Sequence, residues 1–220
     1  NAGAASAAVF ALLGSDARFR VDGEGWWSLA GDLPAHGEAL EGLSYAVVDV
    51  ETTGGTPRRG HRITEVAVVE VEAGVIASDF QTLENPGRPI PSRIAALTGI
   101  TNDMVAGAPF FEDIAEELLS RLEGRVFVAH NVSFDWSFVS SQLGDSLGEG
   151  PNEPRICTVQ MARRLAPDLK RRNLDAVASH FEVPIHARHR AYGDAMATAR
   201  VLLRLLDEAR LQGIPDLPTL

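Results

Sequence analysis

Residues 45–54 read YAVVDVETTG, and this stretch decides the fold. Its first part is an apolar, β-branched run typical of a buried strand, where carboxylates are costly to bury. Because side chains alternate along a strand, Asp49 and Glu51 project from the same face. Two like charges held side by side repel each other unless a cation lies between them. The stretch therefore predicts a divalent metal held at the end of a central strand. An exposed edge strand with two ordinary surface acids is the alternative.

The length and the composition of the chain are those of a protein of ordinary size. The chain has 220 residues, 45% of them hydrophobic, which is enough for one core with a small appendage. No apolar run approaches the roughly 20 residues that cross a bilayer, so we expect no membrane association. Cys157 is the only cysteine, which excludes an intrachain disulfide and favours a reducing, cytoplasmic setting. The net charge of −10 argues against a broad duplex-coating surface, but not against an enzyme that handles a nucleic-acid end in a small cleft.

The N-terminal part differs in character from the rest. Residues 4–13 are expected to form a short helix, and residues 18–29 a β-hairpin around a glycine-containing turn. This arrangement resembles the last helix and wing of a winged-helix module. An extension that packs Trp26 or Trp27 onto the main domain is the favoured interpretation, since too little chain remains for a separate core. The predicted organisation is an extension and linker over residues 1–43, a main domain over 44–212, and a tail over 213–220.

The main domain begins with three strands joined by short connections, which predicts an antiparallel meander. Alternation of helices and strands follows, so the fold class is α/β with a mixed five-stranded sheet that includes parallel strands. Residues 144–155 are expected to be a polar loop. The strands are expected at about 44–51, 63–72, 75–83 and 126–130, and the main helices at 110–122, 134–143, 158–165, 173–181 and 191–211.

Two further segments carry acids at the start of a helix. Residues 128–135 read VAHNVSFD, and residues 189–195 read HRAYGDA. Taken singly, Asp135 and Asp194 are explained by the preference of a helix N-terminus for negative charge. Together with Asp49 and Glu51 they place four carboxylates at strand ends and helix starts. Such termini meet at one edge of an open α/β sheet, where ligands bind.

Three segments now resemble the exonuclease motifs of the DEDD superfamily. They are VDVETTG at residues 48–54, AHNVSFD at 129–135 and HRAYGDA at 189–195. The likeness is greatest to the DEDDh branch, the family that includes the proofreading epsilon subunit of bacterial DNA polymerase III. Three motifs in the family's order, spread over residues 43–207, are far more specific than any one alone. The resemblance implies a ribonuclease H-like fold and two-metal 3′→5′ hydrolysis of single-stranded nucleic acid.

The branch can be checked on this sequence. The histidine branch has its base five residues before the last aspartate, where His189 precedes Asp194. The tyrosine branch has a tyrosine four residues before, and Arg190 occupies that position. The chain is therefore identified with the histidine branch.

The resemblance implies a role for each of these side chains. Asp49 would bridge two divalent cations, with Glu51 and Asp194 on one ion and Asp135 on the other. Mg²⁺ or Mn²⁺ suits such carboxylate ligands, whereas zinc favours nitrogen and sulfur. His189 would be the general base that takes the proton of the attacking water. The polar residues before it predict a loop that swings in when substrate arrives. His61, His130 and His180 are interpreted as ordinary histidines, His130 as a structural one.

Substrate contacts also carry over from the resemblance. The turn after the first motif contacts the 3′-terminal nucleotide in the family, and residues 97–101 resemble the segment whose apolar side chains press on the terminal bases. Phe134, in the second motif, either stacks on a base or packs within the protein. The residues expected to bind substrate are Thr52, Thr53, Leu97, Ile100, Asn131 and Phe134. The arginines 58, 59 and 62 either meet phosphates or lie in a solvated loop.

The function expected is metal-dependent 3′→5′ removal of nucleotides from single-stranded DNA ends, with a DNA polymerase subunit as the partner for proofreading. An RNA-trimming or oligoribonuclease-like enzyme has the same acids, and an inactive nucleic-acid-binding module is the alternative of a different class. Residues 212–217 match the ends of a sliding-clamp peptide, but Pro215 departs from its pattern. An ordinary helix end, with Gly213 as the cap, explains this segment, and we do not expect clamp binding.

Overall fold

The structure is a computed structural model. The helix expected over residues 4–13 and the side chains of Trp26 and Trp27 lie outside the described residues. The residues that the structure describes are 19–21, 27–29, 39–148, 150–217 and 219–220.

A small hairpin precedes the main sheet. Strand β1 (Phe19–Val21) pairs antiparallel with β2 (Trp27–Leu29), with Phe19 opposite Leu29. This pairing agrees with the expected hairpin, whose turn lies outside the described residues. The assignment of residues 1–43 as an extension and of 213–220 as a tail stays a prediction.

Five strands form the central sheet in the order β5-β4-β3-β6-β7. Strands β3, β4 and β5 form the antiparallel meander, while β6 pairs parallel with β3 and β7 pairs parallel with β6. This confirms the mixed five-stranded sheet and the α/β fold class. The strand bounds are β3 Tyr45–Thr52, β4 Ile63–Glu72, β5 Val75–Leu83, β6 Val126–Ala129 and β7 Arg155–Cys157.

Seven helices cover the sheet in the described part of the chain. The longest, α7 (Ala191–Leu211), begins within the third motif, just after His189 and Arg190, and α4 (Val132–Leu147) contains most of the second. Among these helices, none combines the length and the hydropathy needed to span a membrane. The bounds are α1 Ser92–Thr98, α2 Asn102–Val105, α3 Phe111–Leu122, α4 Val132–Leu147, α5 Thr158–Leu165, α6 Leu174–His180 and α7 Ala191–Leu211.

The second half of the chain departs from the sequence-based prediction in two places. Helix α4 continues through Gly144 to Leu147, four residues beyond the expected end. The glycine that ends the helix is Gly148, which adopts the left-handed cap conformation at φ 82°. Residues 155–157, partly assigned to a loop, form β7. A strand of three residues carries no readable alternation, and its pairing with β6 is what defines it.

The alternation along β3 decides which helices face the site. Tyr45 and Val47 belong to the core that contains α5, α6 and α7, whereas Ala46, Val48 and Val50 belong to the core with α3 and α4. The same alternation puts the side chains of Asp49 and Glu51 on the face of the sheet that is packed against α7.

A buried acid after β5 predicts pH-dependent stability. Glu84 is 1% exposed, and its Oε1 has no hydrogen-bond partner among the described residues. Burial, and secondarily the charge of Glu112, raises the pKa of Glu84 from 4.5 to about 8. The unfolded chain ionises this carboxyl near pH 4.5, so the folded state loses stability as the pH rises from there to about 8. Glu84→Gln has no group to ionise, and it should raise the melting temperature above pH 8 but not near pH 4.5.

Thermal unfolding followed by circular dichroism across this pH range checks the expectation. Glu116→Gln is the matched control, because Glu116 is an exposed acid on α3. If Glu84→Gln raised the melting temperature equally at both ends of the pH range, this result would contradict the argument from burial.

Candidate active site

Two of the four expected acids lie at the carboxyl end of β3. Asp49 and Glu51 are both half-buried, and they continue the side of the strand that faces α7. A register shift between Glu51 and Thr52 ends the regular pairing with β4 at this point. The sheet therefore becomes irregular where the acids stand.

The third acid reaches β3 from the opposite face of the sheet. Asn131, at φ 74°, ends the approach from β6 and starts α4, which places Asp135 in the first helical turn. The backbone N–H of Val50 donates a hydrogen bond to Asp135 Oδ1 at 3.1 Å. Asp135 is thus held at the backbone of Val50, the residue between Asp49 and Glu51, although it lies far from them in sequence.

The fourth acid, Asp194, lies in the first turn of α7 and is 3% exposed. Its Oδ2 accepts a hydrogen bond from the backbone N–H of His189 at 3.2 Å and forms an ion pair with Nη1 of Arg188. Its Oδ1 is buried and has no hydrogen-bond partner among the described residues. One oxygen of this carboxylate is therefore left for a further ligand.

Burial raises the pKa of all four acids, and neighbouring acids raise it further for Asp49, Glu51 and Asp135. Burial is the first cause for Asp49, whose pKa is well above its usual range, and the charges of Asp135, Asp194 and Glu51 add to it. Burial, then Asp194, raises the pKa of Glu51 to about 7. Burial raises the pKa of Asp135 to about 8, against the opposing hydrogen bond from Val50 N–H. Burial first, and then repulsion between the carboxylates, therefore favours the protonated form of these acids.

The donor set fits a divalent cation. Ligand atoms of Glu51, His189 and Asp194, one from each, lie within 4.8 Å of one another. The unpartnered oxygen of Asp194 and the mutual repulsion with Asp49 point the same way, since carboxylate oxygens suit Mg²⁺ and Mn²⁺. The structure thus groups Glu51, His189 and Asp194 closely enough to share a metal ion, while Asp49 and Asp135 interact with these acids through their charges. The catalytic roles of all five residues stay predictions.

A residue absent from the sequence-based prediction holds the start of α7. Glu65, 3% exposed on β4, pairs with Arg190 through its Oε1, 2.5 Å from Nη2, and its Oε2 accepts the backbone N–H of Ala191 at 2.9 Å. It lies directly opposite Glu51 in the β3–β4 register. Strand β4 also carries Glu70 and Glu72, so no signal in the sequence singled out Glu65.

The loop before α7 has a tight geometry. Ala187 and His189 adopt positive φ values of 54° and 61°. Gly193 lies beneath this loop, and a Cβ there would come within 1.9 Å of the His186 carbonyl oxygen. Only glycine permits the loop to pack this closely on α7, which sets the position of His189 next to Asp194.

The turn after β3 uses its hydroxyls internally. Thr52 Oγ1 donates to the Gly54 carbonyl at 2.7 Å, and Thr53 Oγ1 accepts the backbone N–H of Arg62 at 3.1 Å. The ring of His61 lies where a Cβ on Gly54 would stand, at 2.3 Å. The side chains of both threonines are buried. Contact with a nucleotide therefore stays a prediction, and the backbone of the turn would make it.

The remaining expected contacts divide into exposed and buried residues. Leu97 is 54% exposed, and Asn131 is also exposed. Phe134 packs against Phe138, with ring centroids 5.1 Å apart. Ile100 is fully buried in a small cluster with neighbouring apolar residues, which corrects the expectation that it presses on a terminal base. The turn at Gly99, with φ 72°, is followed by this inward-directed side chain.

His130 is the structural histidine that the sequence suggested. Its Nδ1 lies 2.9 Å from Thr158 Oγ1, and its Nε2 lies 3.0 Å from the Arg172 carbonyl oxygen. Burial lowers the pKa of His130 to about 4. Both ring nitrogens are engaged, so the ring ties β6 to the segments behind it.

Comparisons with known proteins agree with this geometry. The RNase_T family model, described as Exonuclease, matches residues 46–202. DNA polymerase III subunit epsilon of Aquifex aeolicus is 35% identical over 165 residues, which cover 75% of this chain and 81% of that protein. The 3′-5′ exonuclease DinG of Bacillus subtilis is 36% identical over 176 residues, which cover 80% of this chain but only 19% of that much longer protein.

Solved structures show the same fold. Exonuclease X in complex with 5′ overhanging duplex DNA superposes with a TM-score of 0.60 and 30% sequence identity. The match covers 78% of this chain and 93% of that one. Three separate comparisons thus lead to the same class of enzyme.

Proposed function

Because the chain belongs to the RNase_T exonuclease family, we propose that it removes nucleotides from the 3′ end of single-stranded DNA with two divalent cations, Mg²⁺ or Mn²⁺. The observation that carries the proposal is the meeting of Glu51, His189 and Asp194 within 4.8 Å, in a cluster whose charges also act on Asp49. Relatives whose names concern DNA, the epsilon subunit and exonuclease X, favour DNA over RNA as the substrate.

Each side chain has its own task in the proposed reaction. Asp49 would hold both cations, Glu51 and Asp194 one of them, and Asp135 the other. When bound, the cations supply the positive charge that stabilises the attacking and leaving oxygens of an in-line phosphoryl displacement. His189 accepts the proton of the attacking water on a ring nitrogen. Backbone N–H donors hold the carboxylates of Asp135 and Asp194 in fixed positions before substrate arrives.

Exposed residues in two further segments are proposed to hold the nucleic-acid strand. Leu97 offers an apolar surface to a terminal base, and stacking or apolar contact of this kind tolerates any base. Arg58 and Arg59 are exposed in a short 3-10 helix after the first motif, where they would meet backbone phosphates. Arg62 is instead paired with Asp145 at 3.1 Å, so it has less free charge to offer.

A DNA polymerase subunit is the partner we propose, on the strength of the coverage of the Aquifex aeolicus epsilon subunit. Sliding-clamp binding by residues 212–217 is not part of the proposal. The Gln212 side chain donates to the Leu165 carbonyl at 3.0 Å, and the Pro215 carbonyl accepts the Leu40 N–H at 2.9 Å. With Gly213 at φ 71°, this segment behaves as an ordinary helix end.

A nuclease assay tests the proposal directly. Single strands of DNA and RNA of the same sequence, labelled at the 5′ end, are incubated with Mg²⁺, with Mn²⁺ or with EDTA. We expect a ladder shortened from the 3′ end with either metal, none with EDTA, and faster shortening of DNA. A label placed at the 3′ end should leave first as a mononucleotide. Faster loss of RNA would assign the protein to RNA trimming, and binding without any cleavage would assign it to an inactive module.

A further inference from the structure

Arg188 lies between two acids of different kinds. Its Nη1 pairs with Oδ2 of Asp194, whose side chain is 4% exposed, and its Nε donates to Oδ1 of Asp175 at 3.1 Å. Asp175 is on α6, and its side chain is 57% exposed. The guanidinium therefore joins a buried acid of the active site to an acid at the surface.

The charge of Arg188 reaches most of the acidic cluster. It lowers the pKa of Asp49, of Glu51 and of Asp194, against the burial that raises all three. Arg190, the next arginine, is held by the carboxylate of Glu65. Arg188 thus acts on three of the proposed metal ligands, whereas the charge of Arg190 lowers the pKa of Glu51 among them.

The same residue stands at the centre of the loop that carries His189. The residues on either side of it, Ala187 and His189, both have positive φ values, a conformation that side chains other than glycine rarely adopt. Contacts must compensate for this unfavourable backbone. The two ion pairs of Arg188 tie the loop to α6 and α7, and the hydrogen bond from His189 N–H to Asp194 adds a second contact with α7.

We propose that Arg188 is an internal counter-ion that competes with the divalent cation for Asp194 and holds the histidine loop closed until the metal binds. The proposal rests on the metal site of the proposed function. Arg188 holds Oδ2 of Asp194 and leaves Oδ1 for the metal, but two cations on the two oxygens of one carboxylate still repel each other. Binding of the metal at Oδ1 therefore displaces Arg188 from Oδ2. Asp175 keeps the displaced guanidinium nearby. Metal loading and release of the loop that carries His189 are thereby coupled.

Metal affinity, measured without substrate, tests the competition. Isothermal titration with Mn²⁺ is done at about pH 8.5, because loss of Arg188 also lets protons compete better for the carboxylates. Arg188→Gln should bind Mn²⁺ about tenfold more tightly than the wild type, since its competitor is gone. Arg188→Lys, a point charge that cannot bridge both acids, should bind with intermediate affinity. The control Arg163→Gln removes an exposed arginine on α5 and should leave the affinity unchanged.

Hydrogen exchange of the loop separates this role from a merely structural one. In the wild type, Mn²⁺ should speed amide exchange over residues 186–190, because the ion pair with Asp194 is broken. In Arg188→Gln, exchange should be fast already and should not respond to the metal. Unchanged or weaker Mn²⁺ affinity in a folded Arg188→Gln or Arg188→Lys variant, or slower exchange on adding metal to the wild type, would overturn the proposal. Failure of the wild type to bind Mn²⁺ would instead refute the metal site itself.

Discussion

Asp49→Asn should reduce turnover by at least about 10²-fold, the scale of losing one preorganised electrostatic partner of a transition state. The reason is that Asp49 is the ligand proposed to hold both cations, and an amide cannot supply the same negative charge. The metal-free variant should also melt at a higher temperature than the wild type. Burial and three neighbouring carboxylates raise the pKa of Asp49 above its usual 3.8. The folded wild type therefore loses stability as the pH rises above about 3.8, because Asp49 ionises more readily in the unfolded chain. Asparagine cannot ionise, so the variant does not lose this stability.

Steady-state kinetics with Mg²⁺ and thermal unfolding in EDTA provide the two measurements. Asp79→Asn makes the same chemical change at an exposed position of β5 and should leave both results as in the wild type. More than about a tenth of wild-type turnover in Asp49→Asn would be incompatible with the two-cation assignment. A lower melting temperature in EDTA would show that the Asp49 carboxylate stabilises the fold and is not strained by its neighbours.

The sequence was most informative where a rule of local geometry applied. Alternation along β3 placed Asp49 and Glu51 on one face, and the structure puts that face against the helix that starts with Asp194. The preference of helix starts for acids placed Asp135 and Asp194 in first turns, as found. These predictions needed only neighbouring residues, which is why the sheet and the positions of the acids could be read in advance.

Contacts between distant segments were out of reach of the same reasoning. Glu65 holds Arg190, 125 positions along the chain, and only the register of β3 and β4 shows why an acid stands there. The proposed competition between Arg188 and the metal for Asp194 depends on the conformation of the loop before α7. In the sequence, the residues of this loop show only that they are polar. Ile100 failed for the opposite reason, because its motif suggested a surface role and the turn at Gly99 directs it inward.

His189→Ala should lower turnover by about 10²–10⁴-fold, the usual contribution of a positioned general base. Metal affinity, measured by calorimetry, decides which of two roles this loss reflects. His189 has a ring nitrogen within 4.8 Å of ligand atoms of Glu51 and Asp194, so the geometry allows ligation. As a base it is not needed for binding metal, and we expect the affinity of the variant to stay within about a factor of two of the wild type.

His180→Ala is the matched control, since it removes an exposed histidine at the end of α6. It should change neither turnover nor metal affinity. If His189→Ala loses metal binding together with turnover, the imidazole is a ligand and another group must take the proton. If it retains both, the motif has misled us about the base. Loss of turnover with metal binding intact is the result that assigns His189 to proton transfer, and it leaves the four carboxylates as the ligands.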